Sequence, residues 1–519
     1  MEQLLRTATA KLVNQLFGLQ IAAESITVNQ TPAEFSGDFT VVIFPFVKAA
    51  RKSPDETGKL LGDALVKEVE GIQSFNVVKG FLNIEFNASM WLNEFQNANQ
   101  QSDYFQLPAT GKKIMVEYCA PNTNKPIHLG HVRNILIGYS VGELLKAAGN
   151  EVVKVNMIND RGVHICKSML AYKLFGNNTT PQNSGIKGDH FVGDYYVRFE
   201  TELKKQIADG VATGLSEDDA KKNAPLMKDI QQMLVKWESG DEEVRKLWSM
   251  MNGWVYEGFN ATFKKIGNDF QHIYYESDTY LRGKDVVENG LSSNTFYKRC
   301  DGSVWIDLSS DGLDEKLVLR SDGTSVYITQ DLGTAEMKWE DYHCDKSIYV
   351  VANEQDYHFQ VLKLICQKMK RPFADGIFHL NYGMVDLPTG KMKSREGTVV
   401  DADDLIAEME NEAEHHTRAA GKTEGFTDEE LKTLFHQLGM GALKFFILKV
   451  DPKKRMIFNA QESIDFHGFT GPFIQYTHAR ICSVLRKASS ENISASVPHK
   501  YNLHVEEKKL IAQLLQYQN

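Results

Sequence analysis

The sequence of 519 residues is poor in cysteine and lacks the loops that most often hold a nucleotide. Its six cysteines (Cys119, Cys166, Cys300, Cys344, Cys366 and Cys482) are scattered without a Cys-x-x-Cys pair. That spacing gives no sign of a zinc ribbon or a disulfide framework and fits a reducing cytoplasm. No apolar run approaches the roughly 20 residues of a membrane helix, so no membrane partner is expected. The opening MEQLLRTATAKLVNQLF has helical apolar spacing and lacks the basic segment and cleavage site of a secretory signal. A formal charge of −10 argues against non-specific binding of nucleic acid over the whole surface, so any RNA must meet local basic patches. Neither a Walker loop nor a G-x-G-x-x-G turn is present.

What is present is an ordinary soluble composition, 42% hydrophobic and 24% charged, over a length that divides into three or four domains. Residues 1–107 read as a small α/β N-terminal domain, with a helix, the strand-like TVVIFPF, a Lys/Glu-rich helix and a second strand-like FNVVKGFLNIEF. Residues 108–405 read as a Rossmann-like parallel-sheet domain. Its first unit is a strand (KKIMVEYCA), a helix (HLGHVRNILIGYSVGELLKAAGN) and a strand (EVVKVNMIND). A polar, helical insertion at about 173–299 precedes further strand patterns at VWIDL, SIYVVAN and IFHLNYGMV. Residues 406–470 read as a helical connective region, and 471–519 as the start of a helical C-terminal domain that breaks off before its end.

One loop of the parallel-sheet domain carries chemistry. His128, Leu129, Gly130 and His131 fall where a strand has ended and a helix begins, so backbone N–H groups and the positive end of the helix dipole meet there. Two imidazoles three residues apart can hydrogen-bond a phosphate that gains charge during displacement, and Gly130 leaves room for a flat base. Taken alone, such a pair can equally be a metal pair or two surface histidines. About 260 residues later, GMVDLPTGKMKSREGTVV sets Lys391, Met392, Lys393, Ser394 and Arg395 between Gly390 and Gly397. Three cations between glycines suit a clamp on a triphosphate, although a solvated surface loop has the same composition.

In this order and at this separation, the two motifs resemble the His-x-Gly-His and Lys-Met-Ser-Lys-Ser pair of class I aminoacyl-tRNA synthetases. VEYCAPNTNKPIHLGHVRN, RSDGTSVYITQDLGTA and GPFIQYTHARICSVLRKA are similar to segments of arginyl-tRNA synthetases, over nearly the whole chain. The resemblance implies a ligase that activates L-arginine to arginyl-adenylate and transfers it to tRNA(Arg). ATP with Mg2+ would be the substrate complex, with no tightly bound protein metal. A monomer in the cytoplasm is expected.

An arginine pocket needs planar, charge-assisted contact with a guanidinium and polar groups for the α-amino and carboxylate ends. Glu117 and Asn122 are placed for the latter, beside the ATP loop. The resemblance assigns Tyr327, Asp331 and Gln355 to the guanidinium end, with Gln360 a weaker candidate, and Tyr327 and Asp331 share a face if ITQDLGTAEM is helical. One departure stands out: Ser394 occupies the family's second-lysine position. Lys125 is similar to a lysine that arginyl-tRNA synthetases lacking the second one carry, and is expected to replace it, with Lys393 competing for the role. The C-terminal helices, Arg480 among them, would read the anticodon loop. Phe81 and Asn83, with Gly37-Asp38-Phe39, would meet the outer corner of the tRNA, although these phenylalanines could equally be core residues.

Overall fold

The computed structural model describes the chain except residues 33, 102, 105–106, 387–399, 422, 460–461, 463–467, 494–500 and 518–519. It forms two compact units, Met1–Leu107 with Arg486–Asn519, and Pro108–Leu485.

The first unit opens with α1 (Glu2–Phe17), which ends at Gly18 in the left-handed conformation (φ 67°). There follow β1 (Val28–Gln30), β2 (Phe39–Val42), α2 (Phe44–Ala50), α3 (Pro54–Glu68), β3 (Ile72–Val78), β4 (Phe81–Phe86) and α4 (Ala88–Gln100). The strands pair antiparallel in the order β1-β2-β4-β3. Ser53 and Glu56 cap each other's backbone at the start of α3, and Pro54 takes its first turn, where no N–H is needed. Val41, Leu82 and Ile84 of the sheet and Leu5, Leu61 and Leu65 of the helices share one buried core. Each such side chain contributes roughly 1.5–3 kcal/mol by leaving water. The helix Val505–Leu515 adds Ile511 to this core and pairs Lys508 with Asp38 at 2.9 Å.

The second unit begins with β5 (Lys113–Glu117), α5 (Leu129–Ala147) and β6 (Glu151–Ile158). A helical excursion follows: α6 (Val163–Phe175), α7 (Pro181–Ser184), α8 (Gly188–Ala212), α9 (Glu217–Asn223), α10 (Pro225–Glu238) and α11 (Glu242–Ile266). The chain then returns through β7 (His272–Tyr275), α12 (Glu276–Thr279) and α13 (Arg282–Ser292). Next come β8 (Tyr297–Lys298), β9 (Val304–Ile306) and β10 (Lys316–Leu319), a small antiparallel sheet. After it lie α14 (Tyr327–Tyr342), β11 (Lys346–Ala352), α15 (Asp356–Lys368), β12 (Ile377–Tyr382) and β13 (Val385–Asp386). The unit closes with α16 (Ala402–Ala419), α17 (Asp428–Leu448), β14 (Met456–Ile457) and most of α18 (Gly471–Ser490).

Five strands form one parallel sheet in the order β12-β11-β5-β6-β7. The chain winds outward from β5 through β6 to β7, then crosses back to lay β11 and β12 on the other side. This reversal opens a crevice beyond the carboxyl ends of β5 and β11, where doubly wound sheets bind their ligands.

Two details depart from the sequence reading. The stretch 173–299 is not wholly an insertion, because β7 inside it pairs with β6 and is the edge strand of the main sheet. Its four residues, His-Ile-Tyr-Tyr, are too short and too polar at their flanks to show a strand period. VWIDL belongs to the small antiparallel sheet, whereas SIYVVAN and IFHLNY supply β11 and β12. In the helical stretch that follows the main sheet, Leu405, Ile406 and Met409 of α16 share one core with Phe435 and Leu443 of α17 and Ile135 of α5, within the second unit.

Candidate active site

The site starts at a strained turn. After β5, Cys119 and Ala120 both take positive φ, 83° and 46°, a region that side chains other than glycine enter at a cost of about 1–3 kcal/mol each. Two asparagines hold them there: the Cys119 N–H donates to Asn134 Oδ1 at 2.6 Å, and the Ala120 N–H to Asn156 Oδ1 at 3.0 Å. Asn134 in turn donates to the Val350 carbonyl at 2.8 Å, which locks the turn to β11. Helix α5 passes close enough that a Cβ on Gly138 would lie 2.2 Å from the Tyr118 ring.

His128 is the N-cap of α5. Its Nδ1 accepts the Gly130 N–H at 3.2 Å, while Nδ1 of His131 accepts the His128 N–H at 3.2 Å. The two rings lie 3.8 Å apart between centroids. Burial, reinforced by Lys125, pushes the His128 imidazole down to about 3, and burial with the His128 and Lys125 charges holds His131 well below the usual histidine range. Both rings are therefore neutral near pH 7, and because each Nδ1 is an acceptor, each carries its proton on Nε2. The helix start thus presents two N–H donors. Burial also lowers the Lys125 ammonium, three residues upstream. A bound phosphate would restore the stability of its charge.

The segment with Lys391, Met392, Lys393 and Ser394 lies outside the described residues, but both of its stems are described. On the exit side, the Leu129 N–H donates to the Val400 carbonyl at 3.0 Å and the Ala402 N–H to the Ile127 carbonyl at 2.9 Å. On the entry side, the fully buried Arg133 of α5 donates to the carbonyls of Met384 (3.1 Å), Pro452 (3.3 Å) and Lys454 (2.7 Å). Helix α5 therefore anchors both ends of the lysine-bearing segment.

At the other end of the crevice, Tyr327 and Asp331 do lie on one helix, α14, with Tyr327 81% exposed. Asp331 Oδ2 is 2.5 Å from Nε2 of His358 on α15, and this pairing raises the His358 imidazole above its ordinary range. Gln355 and Gln360 are exposed beyond β11. Glu117 is not a free carboxylate: it pairs with the buried Lys338 of α14, which nothing in the spacing of the two residues announces. The exposed Asn122 bridges to Asn159 through the backbone.

One residue escaped the sequence reading. Glu276 follows β7 directly, and burial, with added repulsion from Asp160 and Asp331, pushes its carboxyl up to about 7. It lay inside the presumed insertion, so its signal, an acid directly after a strand of the main sheet, went unseen.

Asp189, His190 and Asp403 offer the one trio of possible metal-ligating atoms among the described residues, within 4.8 Å of one another. The Lys187 ammonium already sits there, 3.1 Å from Asp189 and 2.6 Å from Asp403. Burial would raise Asp403, yet hydrogen bonds from His190 and Lys187 hold it below the usual carboxylate range. A built-in cation thus fills the place a metal would take.

In the first unit Phe81 is 41% exposed and stands edge-on to Phe44. Asn83 is buried, bonded to Thr40 Oγ1 at 2.6 Å and Asn76 Oδ1 at 2.9 Å, so its side chain is not presented to a partner. Arg480 on α18 is exposed.

Residues 95–460 match the family "tRNA synthetases class I (R), catalytic domain", and residues 474–519 match the "DALR anticodon binding domain". The arginine--tRNA ligase of Amoebophilus asiaticus is 52% identical over 513 residues, covering 98% of this chain and 86% of that protein. That of Parabacteroides distasonis is 50% identical over 520 residues, covering 99% and 87%. The fold is similar to that of the Thermus thermophilus arginyl-tRNA synthetase, with a TM-score of 0.77 at 24% identity over 99% of this chain and 86% of that one. With a catalytic-family match across most of its length and relatives at half identity over nearly all of it, the chain belongs to the class I arginyl-tRNA synthetases.

Proposed function

We propose a residue-by-residue reading of this arginine--tRNA ligase, in which ATP lies along the start of α5 and arginine lies between the ends of β5, β7 and α14. The carrying observation is the pair of neutral imidazoles at the N-terminus of α5, each with an Nε2–H donor, bonded through the backbone to the exit of the lysine-bearing segment. That arrangement sets the donors at the switch point of the sheet, beside Lys125 and the exit stem of the lysine segment.

In the first step the arginine carboxylate attacks the α-phosphate of ATP–Mg2+ and pyrophosphate leaves. Positioning and electrostatics dominate such a transfer. His128 and His131 donate hydrogen bonds to phosphate oxygens as their charge grows, and Gly130 leaves the base room. Lys391, Met392 and Ser394 contribute from the lysine segment. Lys125 and Lys393 supply positive charge to the pentavalent state, Lys125 standing in for the lysine displaced by Ser394. Asp331, joined by Glu276, takes the guanidinium, while Tyr327 and Gln355 shape the pocket. Asn122 and Glu117, the latter shared with Lys338, face the α-amino and carboxylate ends. In the second step a terminal ribose hydroxyl of tRNA(Arg) attacks the adenylate, with Phe81 and Arg480 among the tRNA contacts. The free, largely buried thiols suit a reducing cytoplasm.

ATP–pyrophosphate exchange, run with each amino acid and with and without tRNA, tests this reading. Exchange should depend on arginine. Exchange driven by lysine or cysteine would overturn the pocket assignment.

A further inference from the structure

His358 has no part in the reading above, yet it holds the residue on which arginine recognition turns. It is the third residue of α15, and its Nε2 lies 2.5 Å from Asp331 Oδ2, across 27 residues of sequence. The His358 side chain is 25% exposed and that of Asp331 47%, so the pair is open to solvent instead of sealed in the core. Among the described residues no hydrogen-bond donor other than His358 reaches the Asp331 carboxylate.

We infer that His358 is a positioning residue for arginine: it grips Asp331 through one carboxylate oxygen, leaves the other for the guanidinium, and releases a proton when the guanidinium arrives. This rests on the reading that Asp331 receives the guanidinium.

The chemistry follows from counting charges. A protonated imidazole and a guanidinium compete for one carboxylate, and in a partly desolvated site two cations flanking one anion repel each other. A neutral imidazole keeps an N–H on Nε2 and still donates to Asp331, so deprotonation removes the repulsion and retains the orientation. The proton passes to solvent. Among the titratable groups facing this pair, the buried Tyr349 of β11 lies on the Asp331 side and is held well above the usual phenol range, so it stays neutral. Asp331 comes from α14 and His379 from β12, the latter tied to Asp356 at 3.1 Å and to the Val351 carbonyl at 3.0 Å. Glu276, after β7, lies on the Asp331 side. Contact with Asp331 raises His358 above its ordinary range in the free protein, so the imidazole holds a proton that an arriving guanidinium can displace.

Arginine binding should therefore strengthen as pH rises and level off above the free-protein value of His358. A roughly tenfold gain in affinity over the whole rise corresponds to a one-unit shift. Calorimetric titration of L-arginine into the whole chain, in two buffers of different ionisation enthalpy, counts the protons released. The wild type should release a measurable fraction of a proton, with its maximum below the pH at which affinity levels off. Glu276 releases protons with the same sign, so the decisive quantity is the difference made by His358→Gln and His358→Asn. Both variants keep a neutral N–H donor. They should release fewer protons, flatten the pH profile, and bind arginine at pH 6 at least as tightly as the wild type. Weaker binding at every pH with unchanged proton release would mean a merely structural role and would overturn the inference. Asp331→Asn separates the underlying reading: if it leaves arginine affinity intact, Asp331 does not hold the guanidinium. If it abolishes binding while the His358 variants release protons as before, the inference alone fails.

Discussion

The main-chain N–H of Leu129 donates to the carbonyl of Val400 at 3.0 Å, which bonds the second residue of the histidine motif to the residue that ends the lysine segment. The histidine motif is therefore tied through the backbone to the exit stem of the lysine segment, where no side-chain substitution can part them directly.

The cations of this joined site should act on the chemical step. Lys125→Ala is expected to lower adenylate formation by roughly 10² or more, the scale of losing one preorganised donor, with little change in the KM for arginine. Pyrophosphate exchange measures it. An unchanged rate, with Lys393→Ala crippled instead, would move the role to Lys393.

At the amino-acid end, Asp331→Asn and Glu276→Gln each remove a charge from a guanidinium partner. Hydrogen bonds to charged groups contribute about 1.5–3 kcal/mol, so each change should raise the KM for arginine by roughly 10- to 150-fold and leave that for ATP within a few fold. Equal effects on both substrates would point to a collapsed site instead.

Legibility followed local chemistry. The His128 cap, the helix at Tyr327, and β5, α5 and β6 each declare themselves within a few residues, by a turn, a period or a cap, and the structure has them. What stayed hidden depends on partners distant in sequence. Glu117 meets Lys338 only because β5 and α14 pack together, and Asn83 is buried because Thr40 and Asn76 stand on the neighbouring strands. β7 is four residues long and visible as a strand only once β6 is beside it.

Arg133 has no apolar substitute. Arg133→Met would remove the donor that the carbonyls of Met384, Pro452 and Lys454 share; Met384 and Pro452 keep the N–H groups of Met456 and Gly383, so the loss falls mainly on Lys454, at about 1–3 kcal/mol. Chemical denaturation should show a loss of about 1–3 kcal/mol. A loss below about 1 kcal/mol would mean that the stems satisfy themselves without it.

Acid should weaken the histidine pair. An unfolded histidine titrates near 6.5, whereas folded His128 does not accept a proton until about 3. The unfolded chain thus binds more protons throughout that window, so the stability these rings lend is complete above about pH 6.5 and falls as pH drops towards 3. The slope is at most about 1.4 kcal/mol per pH unit for each ring. Urea midpoints at several pH values measure it, and His128→Gln should make the decline shallower. An identical decline in that variant would assign it to other groups.

Arg133 also bears on how the protein is made. Its three carbonyl partners lie 251, 319 and 321 residues downstream. Since synthesis runs from the N-terminus, a nascent chain carries the histidine motif long before the ribosome has made either stem that α5 will hold. Until Lys454 has emerged, that arginine has no full set of partners and the helix start has no second half to face. Nucleotide binding is then one of the last properties the growing catalytic unit acquires, so an interrupted chain would hold the motif without the enzyme.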